Sequence, residues 1–325
     1  MTYENTLPLR GTVAVVGLGL LGRGIATCFL ASGFRVVGCD QMATAHQVAN
    51  EYIDRGLRET VEHAGLDEHF VENWHENYHS TQGFDDWPAC DFVVESVDED
   101  PLVKRAVFDE IERVVGPKVP IGSNTSAIPI TLLQQGRKHP GRFLGMHWFE
   151  PAHATRFLEL IPGEHTSEST MKLAATFALR CGKEPSVLAK DIPGFIVNRL
   201  AYSLYREALN LLELGVADAA TIDRSFRNAC GVWSTIFGPF QWIDLTGGPE
   251  LYGKGMERVL PTLSTNCEVL EQIRRLTGNN AQGVTNGRGF YDYTPEEAKQ
   301  ADKFFHAHAW QARALMDKYF PLEET

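Results

Sequence analysis

The chain has 325 residues, of which 43% are hydrophobic and 22% charged, values typical of a globular protein long enough for two domains. Its formal net charge of −12 argues against nucleic acid or an anionic membrane as a partner. An anionic cofactor therefore requires a local electropositive site.

The N-terminal stretch MTYENTLPLRG is polar and lacks the basic start, apolar run and cleavage site of a secretory signal. Arg23 and several glycines interrupt the apolar stretch that follows, so it is too short to span a bilayer. The 6 cysteines form no CxxC pair and no cluster with histidine at metal-ligand spacing. We expect a cytoplasmic protein with free thiols, no membrane segment and no bound metal.

Residues 12–16 (TVAVV) form a β-branched run that predicts a buried strand. A glycine-rich turn and a helical stretch ending at Gly33 follow, and residues 35–40 (RVVGCD) predict a second strand. This order is typical of a strand–helix–strand unit in a parallel sheet.

The turn between the first strand and its helix matches the GxGxxG pattern, with residues Gly17-Leu18-Gly19-Leu20-Leu21-Gly22. Gly17 permits the tight turn, Gly19 lets the main chain approach a pyrophosphate, and Gly22 lets helix and strand pack closely. The start of the helix, at Leu20 and Leu21, offers free N–H groups and partial positive charge to an anion. The turn therefore predicts a dinucleotide site and supplies the electropositive feature.

Asp40 ends the second strand, 23 residues after Gly17. A carboxylate at that place accepts hydrogen bonds from the adenosine ribose and repels a 2′-phosphate, so NAD is favoured over NADP. The alternative is a glycine turn used only for packing, with Asp40 as a solvated strand end. The combination of strand, turn, helix and acid argues against this alternative.

Residues 44–80 look helical and very polar, and the stretch from Glu51 to Asp86 holds ten acids, two arginines and no lysine. A further helix is predicted at about 103–115. Further strands are predicted at 90–95, 120–123, 143–148 and 157–161. We therefore expect residues 1–190 to form a doubly wound, mostly parallel α/β domain that binds the cofactor.

The pattern changes after Asp191-Ile192-Pro193-Gly194, a short Pro–Gly hinge. Apolar positions at helical spacing predict helices at 195–214, 218–230, 249–260, 265–276 and 295–318, with no convincing strand. Residues 191–325 are therefore expected to form an all-helical domain.

Hydride transfer to or from the nicotinamide of NAD requires a proton to leave or reach the substrate oxygen. An imidazole suits this role because it titrates near neutrality. His147 ends the apolar strand RFLGMHWF at the carboxyl edge of the sheet, where ligands bind in such folds. Glu159, in the next strand FLELI, is a candidate to orient the ring. A satisfied core histidine and a solvent-facing glutamate remain open as alternatives. The preceding strand closes with polar residues that offer hydrogen bonds to a substrate oxygen, Ser123-Asn124-Thr125-Ser126.

Several strings, in this order, resemble the 3-hydroxyacyl-CoA dehydrogenase family: VVESVDED, SNTS, GMHWFEP, FLELIP, DIPGFIVNRL and GPF. The resemblance runs from VAVVGLGLLGRGIA to GRGFYDY, which is nearly the whole chain. It implies a Rossmann-type NAD-binding domain and a helical C-terminal domain for substrate binding and homodimerisation. It also implies fatty acid metabolism, with oxidation of a 3-hydroxyacyl or 3-hydroxy acid substrate to the ketone.

The resemblance carries four catalytic roles onto this chain. His147 matches the general base, and Glu159 matches the carboxylate that partners it. Ser126 matches a serine that contacts the substrate oxygen and the nicotinamide region, and Asn198 matches an asparagine that completes the site. A locally bonded helix residue is the alternative for Asn198.

The resemblance also implies cofactor contacts, and here the chain departs from the family. Glu99 and Lys104 match residues that contact NAD, although Lys104 equally suits a solvated helix charge. Glu150 stands beside the cofactor and substrate, at a position where the family usually has asparagine. Its carboxylate adds negative charge near the reacting centre, pairs with Arg156, or favours a cationic substrate.

A second departure lies in the polar stretch 44–80. Members that use acyl-CoA place basic and hydroxyl side chains where this chain has Gly56 and His63, amid many acids. The phosphates of CoA would be repelled there, which favours a free acid or another small molecule.

Other branches of the family act on such substrates: L-carnitine dehydrogenase, L-gulonate 3-dehydrogenase and 5-formyl-3-hydroxy-2-methylpyridine-4-carboxylate 5-dehydrogenase. The chain resembles the last of these in SNTSAIPIT, GMHW, IPGEHT and YTPEE. Oxidation of an aldehyde on the same scaffold is therefore a second hypothesis. A third is a non-catalytic, crystallin-like NAD-binding protein, against which the intact catalytic set argues.

Overall fold

The computed structural model describes residues 11–85 and 87–322. Two compact units meet between Ile196 and Val197, a few residues beyond the boundary expected after residue 190. The polar N-terminal residues 1–10 and Asp86, both used in the sequence analysis, lie outside the described residues. None of the described helices is long and apolar enough to cross a membrane.

The first unit alternates strands and helices along most of its length. Its elements are β1 (Thr12–Val16), α1 (Leu20–Ala31), β2 (Arg35–Cys39), α2 (Ala43–Ala64), α3 (His69–Asn73), β3 (Tyr78–Thr81), β4 (Phe92–Glu95), α4 (Pro101–Val114), β5 (Ile121–Ser123), α5 (Ile130–Gln134), β6 (Phe143–Trp148), β7 (Phe157–Pro162), α6 (Glu168–Arg180) and β8 (Glu184–Val187). Every strand predicted in this unit is present, with ends shifted by at most two residues.

The strands form one sheet in the order β3-β2-β1-β4-β5-β6-β7-β8. The strands from β3 to β6 are parallel, whereas β7 pairs antiparallel with β6, and β8 runs parallel to β7. The order reverses between β1 and β4, the kind of switch point where open α/β sheets bind ligands. The predicted doubly wound, mostly parallel sheet is confirmed, and the ends of β1, β4, β5 and β6 share one edge.

The apolar run of β1 reflects burial on both faces of the sheet. Val13 and Val15 pack in one apolar cluster with Phe29 of α1, while Ala14 and Val16 pack in a second cluster with α4. Central parallel strands covered by helices on both faces favour continuous apolar runs over alternation. This is why the sequence predicts the central strands well.

The edge strands are a different case. The stretch 44–80, predicted as helical throughout, ends in β3, whose sequence Tyr-His-Ser-Thr pairs with β2. At the opposite edge, β8 has the sequence Glu-Pro-Ser-Val and was not predicted. Both strands are largely open to solvent, so no apolar pattern marks them. The helices α5 and α6 were also missed, although Ser167 caps α6 by accepting from the amide of Thr170.

The second unit is built from α7 (Val197–Glu213), α8 (Ala219–Asn228), α9 (Cys230–Ser234), α10 (Pro239–Leu245), α11 (Gly248–Val259), α12 (Glu271–Gly278) and α13 (Pro295–Tyr319). Its described residues contain isolated β-bridges at Arg288 but no strand, which confirms the predicted all-helical domain. The helix predicted from residue 265 begins at Glu271, and α9 and α10 were not predicted. No residue of the described helices α7 to α12 is buried.

Candidate active site

The glycine turn lies between β1 and α1 at the switch edge of the sheet. Gly17 has a φ of 89°, and a Cβ there would lie 2.6 Å from the carbonyl oxygen of Ser96. A Cβ on Gly22 would lie 1.8 Å from the carbonyl oxygen of Gly17, so only glycine lets α1 approach β1 this closely. A Cβ on Gly19 would instead project into open space. Gly17 and Gly22 are therefore packed against the main chain, whereas the space beside Gly19 is empty. This arrangement fits a pyrophosphate held by main-chain amides.

The two leucines of the pattern divide between solvent and core. Leu20, the first residue of α1, is 50% exposed, whereas Leu21 packs partly against the core cluster beneath the helix. The start of α1 therefore presents its amides at the surface of the turn, with one leucine anchoring the helix.

Asp40 is held between the glycine turn and α2, not solvated at a free strand end. Its Oδ2 accepts from the amide of Leu18 at 2.8 Å, and its Oδ1 accepts from the amide of Met42 at 2.9 Å. The ring of His46 contacts the carbonyl oxygen of Asp40 through Nε2 and the hydroxyl of Ser80 through Nδ1. Each carboxylate oxygen keeps a lone pair for a further donor, such as a ribose hydroxyl.

The β6–β7 register pairs His147 directly with Glu159. Nδ1 of His147 and Oε2 of Glu159 are 2.8 Å apart, and the two residues are only 5% and 1% exposed. Because a carboxylate only accepts, Nδ1 carries the hydrogen, and Nε2 of the neutral ring is left as a proton acceptor. The alternative of a solvent-facing Glu159 is therefore wrong.

The segment just before the second unit holds this dyad in place. The amide of Ile196 donates to Oε1 of Glu159 at 2.9 Å, so both carboxylate oxygens are engaged. The buried ring of Phe195 lies 5.5 Å from the imidazole of His147, and the ring of Phe157 meets it edge-on at 5.9 Å. Sequence analysis placed Phe195 and Ile196 at the start of a helix after the Pro–Gly hinge, and no local pattern reveals that this segment contacts Glu159.

Asn124 ties three strands together at the same edge. Its Oδ1 accepts from the amide of Trp148, the residue after His147, at 2.9 Å, and its Nδ2 donates to Oγ of Ser96 at 3.0 Å. The main-chain amide of Asn124 still donates to the carbonyl oxygen of Glu95 at 2.7 Å, so just beyond β5 the side chain links the ends of β4 and β6, which are not neighbours in the sheet. Asn124 is thus a positioning residue for His147, whereas the sequence suggested only a contact to substrate.

The loop that carries Ser126 is held by the carboxylate of Glu99, whose side chain is 41% exposed. Oε1 of Glu99 accepts from Oγ1 of Thr125 at 2.6 Å and from the amides of Ser126 and Ala127 at 2.8 and 3.0 Å. Burial acts to raise the pKa of Glu99, but the hydrogen bond from Thr125, the charge of Lys104 and the two amides outweigh it and lower that pKa. Glu99 therefore stays ionised and fixes the loop that carries Ser126.

Lys104 lies behind this loop and is fully buried. Its Nζ pairs with Glu95 at 2.7 Å and with Glu99 at 3.4 Å. The other oxygen of Glu95 accepts from Oγ of Ser123 at 2.6 Å. The alternative of a solvated helix charge is therefore wrong, because Lys104 is buried and joins the ends of β4 and β5 through its buried ion pair with Glu95.

Glu150 follows β6 and belongs to a cis Glu150–Pro151 peptide. Its Oε1 accepts from the hydroxyl of Tyr52 on α2 at 2.7 Å. Arg156, which the sequence suggested as a partner for Glu150, pairs with Glu184 at 2.7 Å. Burial, together with the adjacent Glu150 carboxylate, raises the pKa of Tyr52 far above its usual value, so Tyr52 remains a donor.

Two family models match consecutive parts of the chain. The 3-hydroxyacyl-CoA dehydrogenase NAD binding domain matches residues 12–192, and the 3-hydroxyacyl-CoA dehydrogenase C-terminal domain matches residues 194–293. The chain belongs to the 3-hydroxyacyl-CoA dehydrogenase family. It is an NAD-dependent oxidoreductase, which confirms the cofactor and enzyme class that the glycine turn and the resemblance predicted.

Two curated family members share 31% identity with the chain. A 5-formyl-3-hydroxy-2-methylpyridine 4-carboxylate 5-dehydrogenase from Mesorhizobium japonicum matches over 291 residues, 88% of this chain and 92% of that protein. A fatty acid oxidation complex subunit alpha from Pseudomonas aeruginosa matches over 316 residues, 95% of this chain but 42% of that protein. The chain thus spans less than half the length of the second relative.

The solved structures that resemble the chain likewise include a pyridine carboxylate enzyme and a hydroxyacyl-CoA enzyme. A 5-formyl-3-hydroxy-2-methylpyridine 4-carboxylic acid 5-dehydrogenase, described as an NAD+-dependent dismutase, superposes with a TM-score of 0.87 at 29% identity, covering 94% of this chain and 98% of that one. An (S)-3-hydroxybutyryl-CoA dehydrogenase from Ralstonia eutropha gives a TM-score of 0.70 at 30% identity, covering 87% and 99%.

Two positions of α2, Gly56 and His63, bear on whether the protein could hold the phosphates of CoA. A Cβ on Gly56 would lie 2.8 Å from Cγ2 of Thr27 and 3.3 Å from Nε2 of His153, so this position faces the protein interior. The side chain of His63 is 38% exposed and lies beside Glu62. Gly56 has no side chain that could bind a phosphate. His63 would offer a cation only with its ring protonated, and it already lies beside the acid Glu62.

The remaining site residue of the family pattern is Asn198, the second residue of α7 in the second unit. The first unit alone brings together the glycine turn and the other predicted residues at one sheet edge: Asp40, Glu99, Lys104, Ser126, His147, Glu150 and Glu159. The part that Asn198 plays in completing the site stays a prediction, as do the NAD contacts of Glu99, Lys104, Ser126 and Glu150.

Proposed function

We propose that the protein oxidises the hydroxyl of a small free 3-hydroxy acid to the ketone, with His147 as general base. The observation that supports this most directly is the buried His147–Glu159 pair, 2.8 Å apart, at the sheet edge that also carries the glycine turn. A base oriented by a carboxylate beside a dinucleotide site is the arrangement that hydride transfer from an alcohol requires.

The proton path follows from the hydrogen bonds. Glu159 holds the hydrogen on Nδ1, so Nε2 of His147 accepts the proton of the substrate hydroxyl as the carbonyl forms. The hydrogen on the carbinol carbon leaves with its electron pair as a hydride, and NAD supplies the acceptor for it when bound. The buried Glu159 then stabilises the imidazolium, since its second oxygen remains fixed by the amide of Ile196.

The substrate is proposed to lack CoA. The α2–α3 region carries many acids and no lysine, and Gly56 faces the interior, so the phosphates of CoA meet repulsion with little compensation. The higher TM-score with the pyridine carboxylate enzyme, 0.87 against 0.70 for the hydroxybutyryl-CoA enzyme, supports the same choice.

A second candidate is oxidation of an aldehyde that bears a carboxylate. Its support is the 31% identity to the pyridine carboxylate dehydrogenase over 92% of that protein. Hydration converts such an aldehyde to a geminal diol, and His147 then removes a diol proton by the same route as for an alcohol. The non-catalytic, crystallin-like alternative receives no support, because the dyad and its supporting hydrogen bonds are intact.

We further propose a cytoplasmic homodimer that associates through the helical unit. Helices α10 and α11 expose large apolar side chains, with Phe240 at 82%, Leu245 at 60% and Leu251 at 58%. Several large apolar side chains exposed on neighbouring helices are typical of a subunit interface.

A substrate screen tests the proposed activity. Wild-type protein with NAD is given 3-hydroxybutyrate, other free hydroxy acids, carnitine and pyridine aldehydes, and NADH formation is followed by absorbance. In the reverse direction, acetoacetate is compared with acetoacetyl-CoA and NADH. We expect turnover of at least one free acid or aldehyde and a kcat/KM at least about tenfold lower for the CoA thioester, the size of one lost charged contact. Efficient reduction of acetoacetyl-CoA would contradict the choice of substrate class.

A further inference from the structure

Arg23 is a half-buried cation that follows Gly22 directly in the first turn of α1. Its guanidinium carbon lies 5.1 Å from the centre of the Tyr52 ring. Its Nε is buried and makes no hydrogen bond to any described residue, and no described carboxylate forms an ion pair with the guanidinium. A partly desolvated cation without an acceptor costs free energy unless a ligand supplies one.

Tyr52 is a shared platform for two guanidiniums. Arg55, on the same helix as Tyr52, also places its guanidinium carbon 5.1 Å from the ring centre. The ring itself is only 4% exposed, and its hydroxyl is tied to Glu150 at 2.7 Å. The carboxylate nearest to Arg55 is Glu59 at 3.8 Å, which also bonds His153 at 2.9 Å. The two cations are therefore held by a rigid aromatic ring, in the manner of cation–π pairs.

The cluster of Arg23, Tyr52 and Arg55 lies beside the loop that follows β6, the strand that carries His147. A Cβ on Gly24 of α1 would lie 3.2 Å from Cβ of Ala152 and 3.5 Å from the hydroxyl of Tyr52. Glu150 and Ala152 belong to that loop, which begins just after His147 and Trp148. The Tyr52 side chain, over whose ring both guanidiniums lie, is therefore packed against α1 and the loop after the base.

The charges around the ring favour one carboxylate over a polyphosphate. Glu59 and Glu150 already supply two negative charges, while Arg23 alone has no described carboxylate partner. A guanidinium offers a planar fork of donors that matches a carboxylate in two parallel hydrogen bonds. Several phosphate charges would meet both glutamates and the acids of α2 without further cations to balance them.

We propose that Arg23, supported by Arg55 on the ring of Tyr52, binds the carboxylate of the substrate. This assignment rests on the proposed function for the position of the substrate, and it names the group by which a free acid is recognised. Arg23 is then a specificity residue of the first unit. The negative charge of Glu150 beside it disfavours a substrate that carries several negative charges.

Binding measured without turnover tests this assignment separately from the catalytic proposal. Wild-type protein saturated with NADH is titrated by calorimetry with pyridine-4-carboxylate and acetoacetate, each compared with its uncharged amide. At least one carboxylate is expected to bind about tenfold more tightly than its amide, as one charge-assisted fork allows. Arg23→Met is expected to abolish that preference and leave the Kd for NADH within about twofold. Arg23→Lys, which keeps the charge but loses the fork, is expected to recover part of it.

Arg58→Met is the matched control, because Arg58 lies one turn beyond Arg55 on α2 and pairs with Asp54 at 2.9 Å. It should leave every affinity unchanged. The assignment is overturned if wild type binds neither carboxylate or shows no preference, or if the preference survives Arg23→Met. A parallel loss of NADH affinity in Arg23→Met would instead assign Arg23 to the cofactor diphosphate, so that result also overturns it.

Discussion

Asp40 serves both the protein and, in the proposed complex, the cofactor. Its two oxygens accept from the amides of Leu18 and Met42, so the carboxylate that we propose binds the adenosine ribose also holds the glycine turn against β2. Asp40→Ala should lower NADH affinity about tenfold and narrow the preference for NADH over NADPH, because both the hydrogen bonds and the repulsion of a 2′-phosphate are lost. Fluorescence titration of both cofactors measures this. Asp40→Asn keeps the size of the side chain but removes its charge. An unchanged preference for NADH over NADPH in both variants would refute the proposed role of Asp40 in cofactor selection.

Glu99 offers a test of the loop that carries Ser126. Hydrogen bonds from Thr125 and two amides, with the charge of Lys104, lower its pKa against the effect of burial. A lowered folded-state pKa stabilises the fold above the usual glutamate range, and this stabilisation is lost as the pH falls through the folded value. Glu99→Gln should therefore reduce the free energy of unfolding at neutral pH, with a smaller reduction at about pH 3. Urea melts at the two pH values measure it, and an equal reduction at both would contradict the account.

At the scale of elements, the packing of α1 against β1 requires glycine at one position of the turn and leaves space for a side chain at another. A Cβ on Gly22 would collide with the main chain of Gly17, whereas one on Gly19 would enter open space. Gly22→Ala should thus cost at least about 1–3 kcal/mol of stability. Gly19→Ala should leave the unfolding midpoint unchanged and weaken NADH binding, because its methyl group occupies the groove. Thermal melts and NADH titrations of both variants check this, and a stable Gly22→Ala variant with normal affinity would contradict the packing argument.

How far the sequence predicts these elements depends on how they are buried. The central strands β1, β2 and β4 to β7 are apolar on both faces and were predicted almost to the residue, whereas the polar edge strands β3 and β8 were missed. The sequence analysis proposed Glu159 as the partner of His147 but left the contact open, because the antiparallel β6–β7 register that makes it is not encoded by any local pattern. The same is true of the bridge that Asn124 makes between β4 and β6, and of the amide of Ile196 that holds Glu159. These last two contacts join segments distant in sequence, so single-sequence reasoning finds the residues without showing which groups hold them in place.

At the scale of the whole molecule, the helical unit exposes more apolar surface than a monomer is expected to tolerate. No residue of the described helices α7 to α12 is buried, and Phe240 is 82% exposed. Light scattering after gel filtration should therefore give twice the chain mass of 36.2 kDa. Phe240→Asp should shift the mass toward the monomer. Leu102→Asp, at an equally exposed leucine of the first unit, is the control and should leave a dimer. A monomeric wild-type protein would contradict the proposed assembly.

The central claim is that His147, oriented by Glu159, takes the proton of the substrate. Its most direct test is the kcat/KM of His147→Asn with the best substrate from the screen, measured alongside the Kd for NADH. We predict a loss of about 10²–10⁴-fold in kcat/KM, the usual contribution of a positioned general base, with the Kd for NADH within about twofold of wild type. Undiminished turnover in this variant would remove His147 from the reaction and contradict the account.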